Sequence, residues 1–159
     1  MKLLTHYVFT TGVLTLMSSP FLGFYDSLLV SFIIAWISNS LIDRLGHEVR
    51  YGYIRRTPRT HTLLRSLPWG ILPSLPLSLI LGVPIIAFLG IVAGPSHLVL
   101  DVLTERGIYV KRRGRWVRYA LAHFAYNNPL LNGLFILIGA VFLYIAMLIQ
   151  SQPLTTLLF

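Results

Sequence analysis

The placement of basic residues against long apolar stretches constrains this chain more than any other feature. A bilayer-spanning helix needs about 20 mostly apolar residues, and stretches of that kind fall at about 3–19, 27–43, 63–81, 84–104 and 129–152. The third and fourth form one continuous apolar run, which Gly82-Val83-Pro84 divides because Gly and Pro punctuate helices. Five crossings put segments 44–65 and 106–118 on the side of the N-terminus. Six Lys and Arg lie in the first segment, six in the second, and the thirteenth is Lys2, so the opposite face receives none. Loops rich in Lys and Arg stay cytoplasmic. The expected fold is therefore all-α, a polytopic membrane helical bundle of about five transmembrane helices. It forms a single integral membrane domain over 1–159, with the N-terminus and the basic loops 44–62 and 105–128 cytoplasmic.

Composition agrees. Residues are 55% hydrophobic and 11% charged, with a mean hydropathy of +0.74; a soluble domain carries roughly 25% charge. Disorder, which needs low hydrophobicity and high charge, is excluded. The chain has no Cys, which removes disulfides, thiolate metal sites and a Cys nucleophile. Residues 1–20 faintly imitate a signal peptide, but His6 and several Thr interrupt them, and the stretch reads as a retained span. The net charge of +8 accompanies no nucleic-acid-binding motif. Anionic lipid headgroups are the expected partners of the basic loops, at about 1 kcal/mol per Lys or Arg near the surface.

Local pattern adds detail. Pro68, Pro73 and Pro76 predict a third span that is kinked or broken, whereas Asn128-Pro129 forms a good helix start. Between Arg115 and Tyr126, Val117, Ala120, Leu121 and Phe124 recur at helical spacing. That pattern predicts a short interfacial helix with Trp116, Tyr119 and Tyr126 at headgroup depth, or else a solvated connector.

Ionisable residues inside spans are functional candidates, since a charge at mid-membrane costs at least about 2.5–3.5 kcal/mol. His6 lies one turn into the first span, Asp43 closes the second, His61 opens the third, and His97 and Asp101 end the fourth. All five fall at cytoplasmic helix ends; Asp26 alone lies on the other side. His97 and Asp101 are i,i+4 and share a helix face, as do Asp43 and His47 if the helix survives Gly46. Imidazole nitrogen and carboxylate oxygen are what a zinc- or manganese-like divalent ion accepts when thiolates are absent. His6, Asp43, His61, His97 and Asp101 are thus the expected metal ligands. Each has a plainer reading: an interfacial histidine for His6, an ion pair with Arg44 for Asp43, a helix start for His61, and a His–Asp hydrogen bond for His97 with Asp101. His47 and His123 read as loop residues.

The run Gly94-Pro95-Ser96-His97-Leu98-Val99-Leu100-Asp101-Val102-Leu103-Thr104-Glu105-Arg106-Gly107 resembles the motif of the YdjM-like membrane-bound metal-dependent hydrolases, in which Ser-His precedes an Asp one helical turn on, then Thr and Gly. Thr60-His61-Thr62 resembles that family's Thr-His-Ser element, Thr5-His6 its N-terminal His, and Asp43 the acidic residue closing its second span. Where the family has a His and an Arg before Thr-His-Ser, this chain has Arg56 and Thr57; where it often has two acidic residues, this chain has Asp43 and then His47.

The resemblance implies hydrolysis of a phosphoester, plausibly of a lipid, at the cytoplasmic membrane surface. Asp43 or Asp101 would take the proton of the attacking water, Arg56, Arg59 or Arg44 would hold the phosphate, and Ser96 and Thr60 would steady the ligands. Two other readings remain open. One is a non-enzymatic membrane protein with a structural His/Asp network and basic loops that dock lipid or a partner protein. The other is a transporter, for which neither repeated halves nor a midplane charge is visible.

Overall fold

The computed structural model describes residues 1–151. The described residues are mostly helical, at 68%, and form five helices in the expected order: α1 (Leu3–Leu22), α2 (Phe24–Gly46), α3 (Leu63–Leu81), α4 (Ile85–Asp101) and α5 (Pro129–Ser151). Gln152, expected to close the last span, and the tail after it lie outside the described residues. Among the described residues, three helices are long and apolar enough to cross a membrane: α2, α3 and the Pro129–Ile149 stretch of α5. At 17 residues α4 is shorter. α1 buries Thr5, His6, Thr10, Thr11, Thr15, Ser18 and Ser19, so its polar residues face the other helices rather than the surroundings.

The helices alternate up and down. α3 packs mainly on α4, and α1 on α5 and α2, while α2 also touches α3 and α4. Leu14, Val30, Ile34, Ile86, Leu89 and Ala93 form a core among α1, α2 and α4. A second cluster, Met1, Phe9 and Leu100, packs under Leu131, Phe135, Ile138 and Phe142 of α5 and its approach. Close approach of backbones replaces bulky packing at two contacts. A Cβ on Gly12 would strike the Gly139 carbonyl, and one on Gly94 would strike the Ser66 carbonyl; small residues at such crossings are the usual solution between apolar helices. The outer faces stay apolar: Phe32, Trp36, Leu72, Leu79, Leu137 and Tyr144 are all exposed.

α3 is one unbroken helix through Pro68, Pro73 and Pro76. Its start is capped by Thr62, whose side chain accepts from Arg65 N, and its end by Gly82 in the left-handed conformation. α1 likewise runs on through Pro20 to Leu22.

The basic connections are where the structure departs from expectation, because both fold as β-hairpins and the chain is not all-α. β1 (His47–Arg50) pairs antiparallel with β2 (Tyr53–Arg56), and β3 (Ile108–Arg112) with β4 (Arg115–Tyr119). The short interfacial helix expected from Arg115 to Tyr126 is absent. Each hairpin closes on a two-residue turn with positive φ at both positions: Tyr51 at 52° and Gly52 at 77°, Arg113 at 49° and Gly114 at 80°. Two left-handed residues match the twist of paired strands, and Gly at the second makes the turn accessible. The flanking Ile108-Tyr109-Val110 and Trp116-Val117 are β-branched and aromatic, residues that favour strands. Their alternation outweighs the helical spacing of Val117, Leu121 and Phe124. After β4 the chain is tied down by Leu121 N donating to Val102 O at 2.8 Å and Glu105 N to Phe124 O at 2.9 Å.

Candidate metal centre

Alternation of the helices brings the start of α1, the end of α2, the approach to α3 and the end of α4 to one end of the bundle. There Asp43, His61, His97 and Asp101 converge, with one ligand atom from each lying within 4.8 Å of all the others. His61 Nε2 is 3.6 Å from Asp43 Oδ1 and 3.6 Å from Asp101 Oδ2; His97 Nε2 is 3.5 Å from Asp43 Oδ1 and 3.0 Å from Asp101 Oδ2. Four donors at bond lengths of about 2.0–2.1 Å around a tetrahedral ion stand about 3.3–3.4 Å apart. The spacing therefore suits a metal ion.

Hydrogen bonding points the same way. Asp43 Oδ1, His61 Nε2, His97 Nε2 and Asp101 Oδ2 are all buried, and none has a hydrogen-bond partner. Leaving one such group unsatisfied costs about 1–3 kcal/mol, so four at one point call for a shared ligand. The far sides of both rings are fixed. Asn39 Nδ2 donates to Ala35 O at 2.7 Å, which turns its carbonyl oxygen to His97 Nδ1 at 2.8 Å. Thr60 Oγ1 donates to Ile42 O at 2.7 Å and so accepts from His61 Nδ1 at 3.0 Å. Both Nδ1 atoms then carry the proton, and both Nε2 lone pairs face the cluster. Such fixing of the ring through its second nitrogen is typical of metal-binding histidines. Burial also pushes the His61 imidazole down to about 4, which keeps it neutral at physiological pH.

Local sequence explains the approach. Gly46 ends α2 where a Cβ would fall on Thr60 Oγ1 and the His61 ring, so only glycine lets segment 57–61 close over the helix end. Thr57 completes the closure, its N and Oγ1 donating to Gly46 O at 2.7 and 3.0 Å.

The fifth expected ligand, His6, sits beside this set rather than in it. Its ring stacks on His97 at 3.9 Å between centroids, and its Nε2 is 3.3 Å from Asp101 Oδ1. That oxygen is already taken: Arg56 Nη2 donates to it at 2.5 Å, and the Met1 ammonium at 2.9 Å. Burial lowers the pKa of that amine, with Asp101 opposing. Asp101 thus turns one oxygen to cations and the other to the cluster. Arg56, expected to hold phosphate, spends Nη1 on Thr104 Oγ1 and Gly107 O, and keeps only Nε unpartnered. Of the supports expected beside the ligands, Thr60 touches His61, whereas Ser96 bonds Thr10 and Ala93 O instead.

His47, read as a loop residue, stands at the edge of the cluster. Its Nε2 is 3.6 Å from Asp43 Oδ1, and its ring stacks on His61 at 5.2 Å. Burial lowers its pKa against the pull of Asp43. His123 is exposed and is not part of the cluster. Asn39 was not among the expected residues, although it lies one turn before Asp43 on the same helix face.

Two openings lie near the cluster, one lined by Asp43 and the other by Arg56, the partner of Asp101. Asp43 is the one ligand open to solvent, at 19%, and it lies in a groove of about 500 Å³ whose walls include Leu3, Val49 and Ile54 together with Ser40, Arg44, His47 and Glu48. Arg56 forms a wall of the other, a cavity of about 620 Å³ between the hairpins that also holds Arg55, Arg106 and Arg118. The arrangement can bind a divalent ion and present it to an anion.

Residues 1–100 match the model of a family described as "Protein of unknown function (DUF1286)". No curated protein and no solved structure matches the chain.

Proposed function

The chain belongs to the DUF1286 family, and from its site we propose a membrane-embedded, metal-dependent hydrolase of a phosphoester, plausibly a lipid, working at the cytoplasmic surface. The observation that carries this reading is the set of four buried, unpartnered ligand atoms that all lie within 4.8 Å of one another. Two imidazoles and two carboxylates in that arrangement favour zinc over manganese, which prefers octahedral oxygen sites. With a divalent ion present, the two carboxylates and Arg56 sum to a net positive charge, which suits an anionic substrate. The sequence resemblance around His97 supports the same chemistry.

A zinc ion held by His61, His97 and Asp101, with Asp43 left off the metal, would supply a water of pKa around 7 and polarise a phosphoryl oxygen at the open fourth position. The chain's own residues do the rest. As the water oxygen bonds to phosphorus and the bond to the leaving oxygen breaks, Asp43, at the open mouth, accepts the water's proton. His47 Nε2, 3.6 Å away, is placed to relay it, and the leaving oxygen takes up a proton in turn. Arg56 Nε, the one nitrogen of that side chain without a partner, steadies the phosphate where the cluster meets the cavity. The groove beside Asp43, walled in part by Leu3, Val49 and Ile54, gives an acyl chain a route to the site.

The membrane reading follows from the exposed apolar helix faces and the charge asymmetry. All five helices cross, and both hairpins face the cytoplasm. Since the chain lacks Cys, single cysteines at Arg55 and Arg113 are clean reporters. Both are expected to resist a membrane-impermeant maleimide in intact cells and to react once the membrane is opened; labelling from opposite sides would overturn the topology.

The hydrolase reading is tested on protein purified in detergent. Elemental analysis is expected to find about one zinc per chain, with phosphoester hydrolysis that a chelator removes and zinc restores. Metal-free protein with intact tertiary structure would end the proposal. A structural His/Asp network is the competing account, favoured by one observation: Arg56 and the Met1 ammonium already balance the charge of Asp101.

A further inference from the structure

The cavity between the hairpins is more cationic and larger than a single phosphate at the ligand cluster requires. Its lining holds four arginines against two glutamates, Glu48 and Glu105. Among the described residues, Arg55, Arg106 and Arg118 form no ion pair with either glutamate. Arg106 lies over the Tyr126 ring at 4.6 Å. Arg56 is 7% exposed, and its buried Nε has no acceptor.

The cavity is built onto the ligand-bearing segment rather than beside it. Tyr109 N donates to His61 O at 2.8 Å and Tyr109 Oη to Arg56 O at 2.9 Å. Arg118 lies opposite Tyr109 in the β3–β4 register, and Arg55 precedes Arg56 on β2. Arg56 therefore bridges the two places: Nη2 reaches Asp101, Nη1 reaches Thr104 Oγ1 and Gly107 O, and the residue is part of the cavity lining. Arg56 thus stands between the cluster and Arg55, Arg106 and Arg118, of which Arg55 lies opposite Glu48 in the β1–β2 register.

Resting on the hydrolase reading, the geometry points to a substrate that carries a second phosphate: the class is a diphosphate, with the phosphate attacked at the ligand cluster and its neighbour held by Arg55, Arg106 and Arg118. Guanidinium forks match phosphate oxygens through paired, charge-assisted hydrogen bonds. A monophosphate at the cluster would leave those arginines without a partner.

Calorimetry on the full chain in detergent compares inorganic pyrophosphate with inorganic orthophosphate. Pyrophosphate is expected to bind at least about tenfold more tightly, the scale of one or two charge-assisted hydrogen bonds. Arg55→Gln with Arg118→Gln is expected to abolish that preference while metal content and thermal unfolding stay as in the parent. Equal affinity for the two anions, or a preference that survives both substitutions, overturns the inference. A decyl diphosphate that binds more tightly than pyrophosphate identifies a lipid headgroup as the source, and equal binding a free diphosphate; the subsite stands in both cases. Metal and hydrolysis without a diphosphate preference would sink this inference alone. A preference abolished by the arginine variants in a protein without metal or hydrolysis would keep the anion subsite and sink the hydrolase.

Discussion

His97→Ala is expected to release the metal and, with it, hydrolysis. His97 Nε2 makes the shortest approach within the cluster, 3.0 Å to Asp101 Oδ2, and its ring is fully buried, so no water simply replaces it. Asn39→Leu tests the same site more gently. It removes the acceptor that fixes His97 Nδ1 and is expected to weaken metal binding by about 10- to 100-fold, the usual effect of losing a ligand's hydrogen-bond partner. His97→Ala must cost more than that.

Stability separates the metal reading from a structural network. A ligand present at about 1,000 times its Kd stabilises the folded state by about 4.1 kcal/mol, so a chelator should lower the Tm of the parent protein clearly. Once His97 is gone, the Tm should no longer respond to chelator. If parent and variant unfold alike with and without chelator, and elemental analysis finds no metal in either, His97 is a core histidine and the metal proposal fails.

Helices were legible in the sequence because their signal is long and redundant. α3 has the expected bounds, 63–81, and α5 begins at the expected Asn128-Pro129 start, with Leu131 N donating to Asn128 Oδ1 at 3.0 Å. Twenty apolar residues are hard to misread. The hairpins rest on four or five residues per strand, in segments where charge dominated the pattern, and one accidental helical spacing was enough to mislead. The useful signals were Tyr51-Gly52 and Arg113-Gly114, each between short runs containing Val, Ile, Tyr or Trp.

The cluster was legible for a different reason. Ionisable groups are rare in such spans, and alternation of five helices forces residues at equivalent depths to one end. His61, His97, Asp43 and Asp101 followed from depth alone. Depth does not give rotation about a helix axis, so His6, at the same level, stacks beside the ligands instead of joining them. Nor does it find an uncharged support. Asn39 and Asn132 act through amide groups, Asn132 accepting from Thr5 Oγ1 at 2.7 Å and Lys2 N at 3.0 Å, and their polarity was submerged in long apolar runs. Arg56 was found by charge, but its partners Thr104 and Gly107 lie some 50 residues away, a distance that spacing within one helix cannot bridge.

Arg56→Ala is the substitution expected to cost the most stability. Asp101 is completely buried, and Arg56 Nη2 is its closest partner, at 2.5 Å. Removing one member of a buried ion pair strands the other, at a cost of about 3–5 kcal/mol; trimming an arginine on the surface changes stability by about 0.5 kcal/mol or less. The same change also frees Thr104 Oγ1 and the Gly107 carbonyl, the contacts that hold the end of α4 to β2. Arg56→Lys keeps the charge but cannot span Asp101, Thr104 and Gly107 with one ammonium, so an intermediate loss is expected. Adding Asp101→Asn to Arg56→Ala removes the stranded charge. The pair is therefore expected to be less destabilising than the sum of the two single changes, as residues in direct contact are rarely additive. Denaturant unfolding in detergent measures all four proteins. A loss for Arg56→Ala no larger than that of a surface arginine would show that Asp101 does not depend on it, and that the Met1 ammonium at 2.9 Å carries the balance by itself.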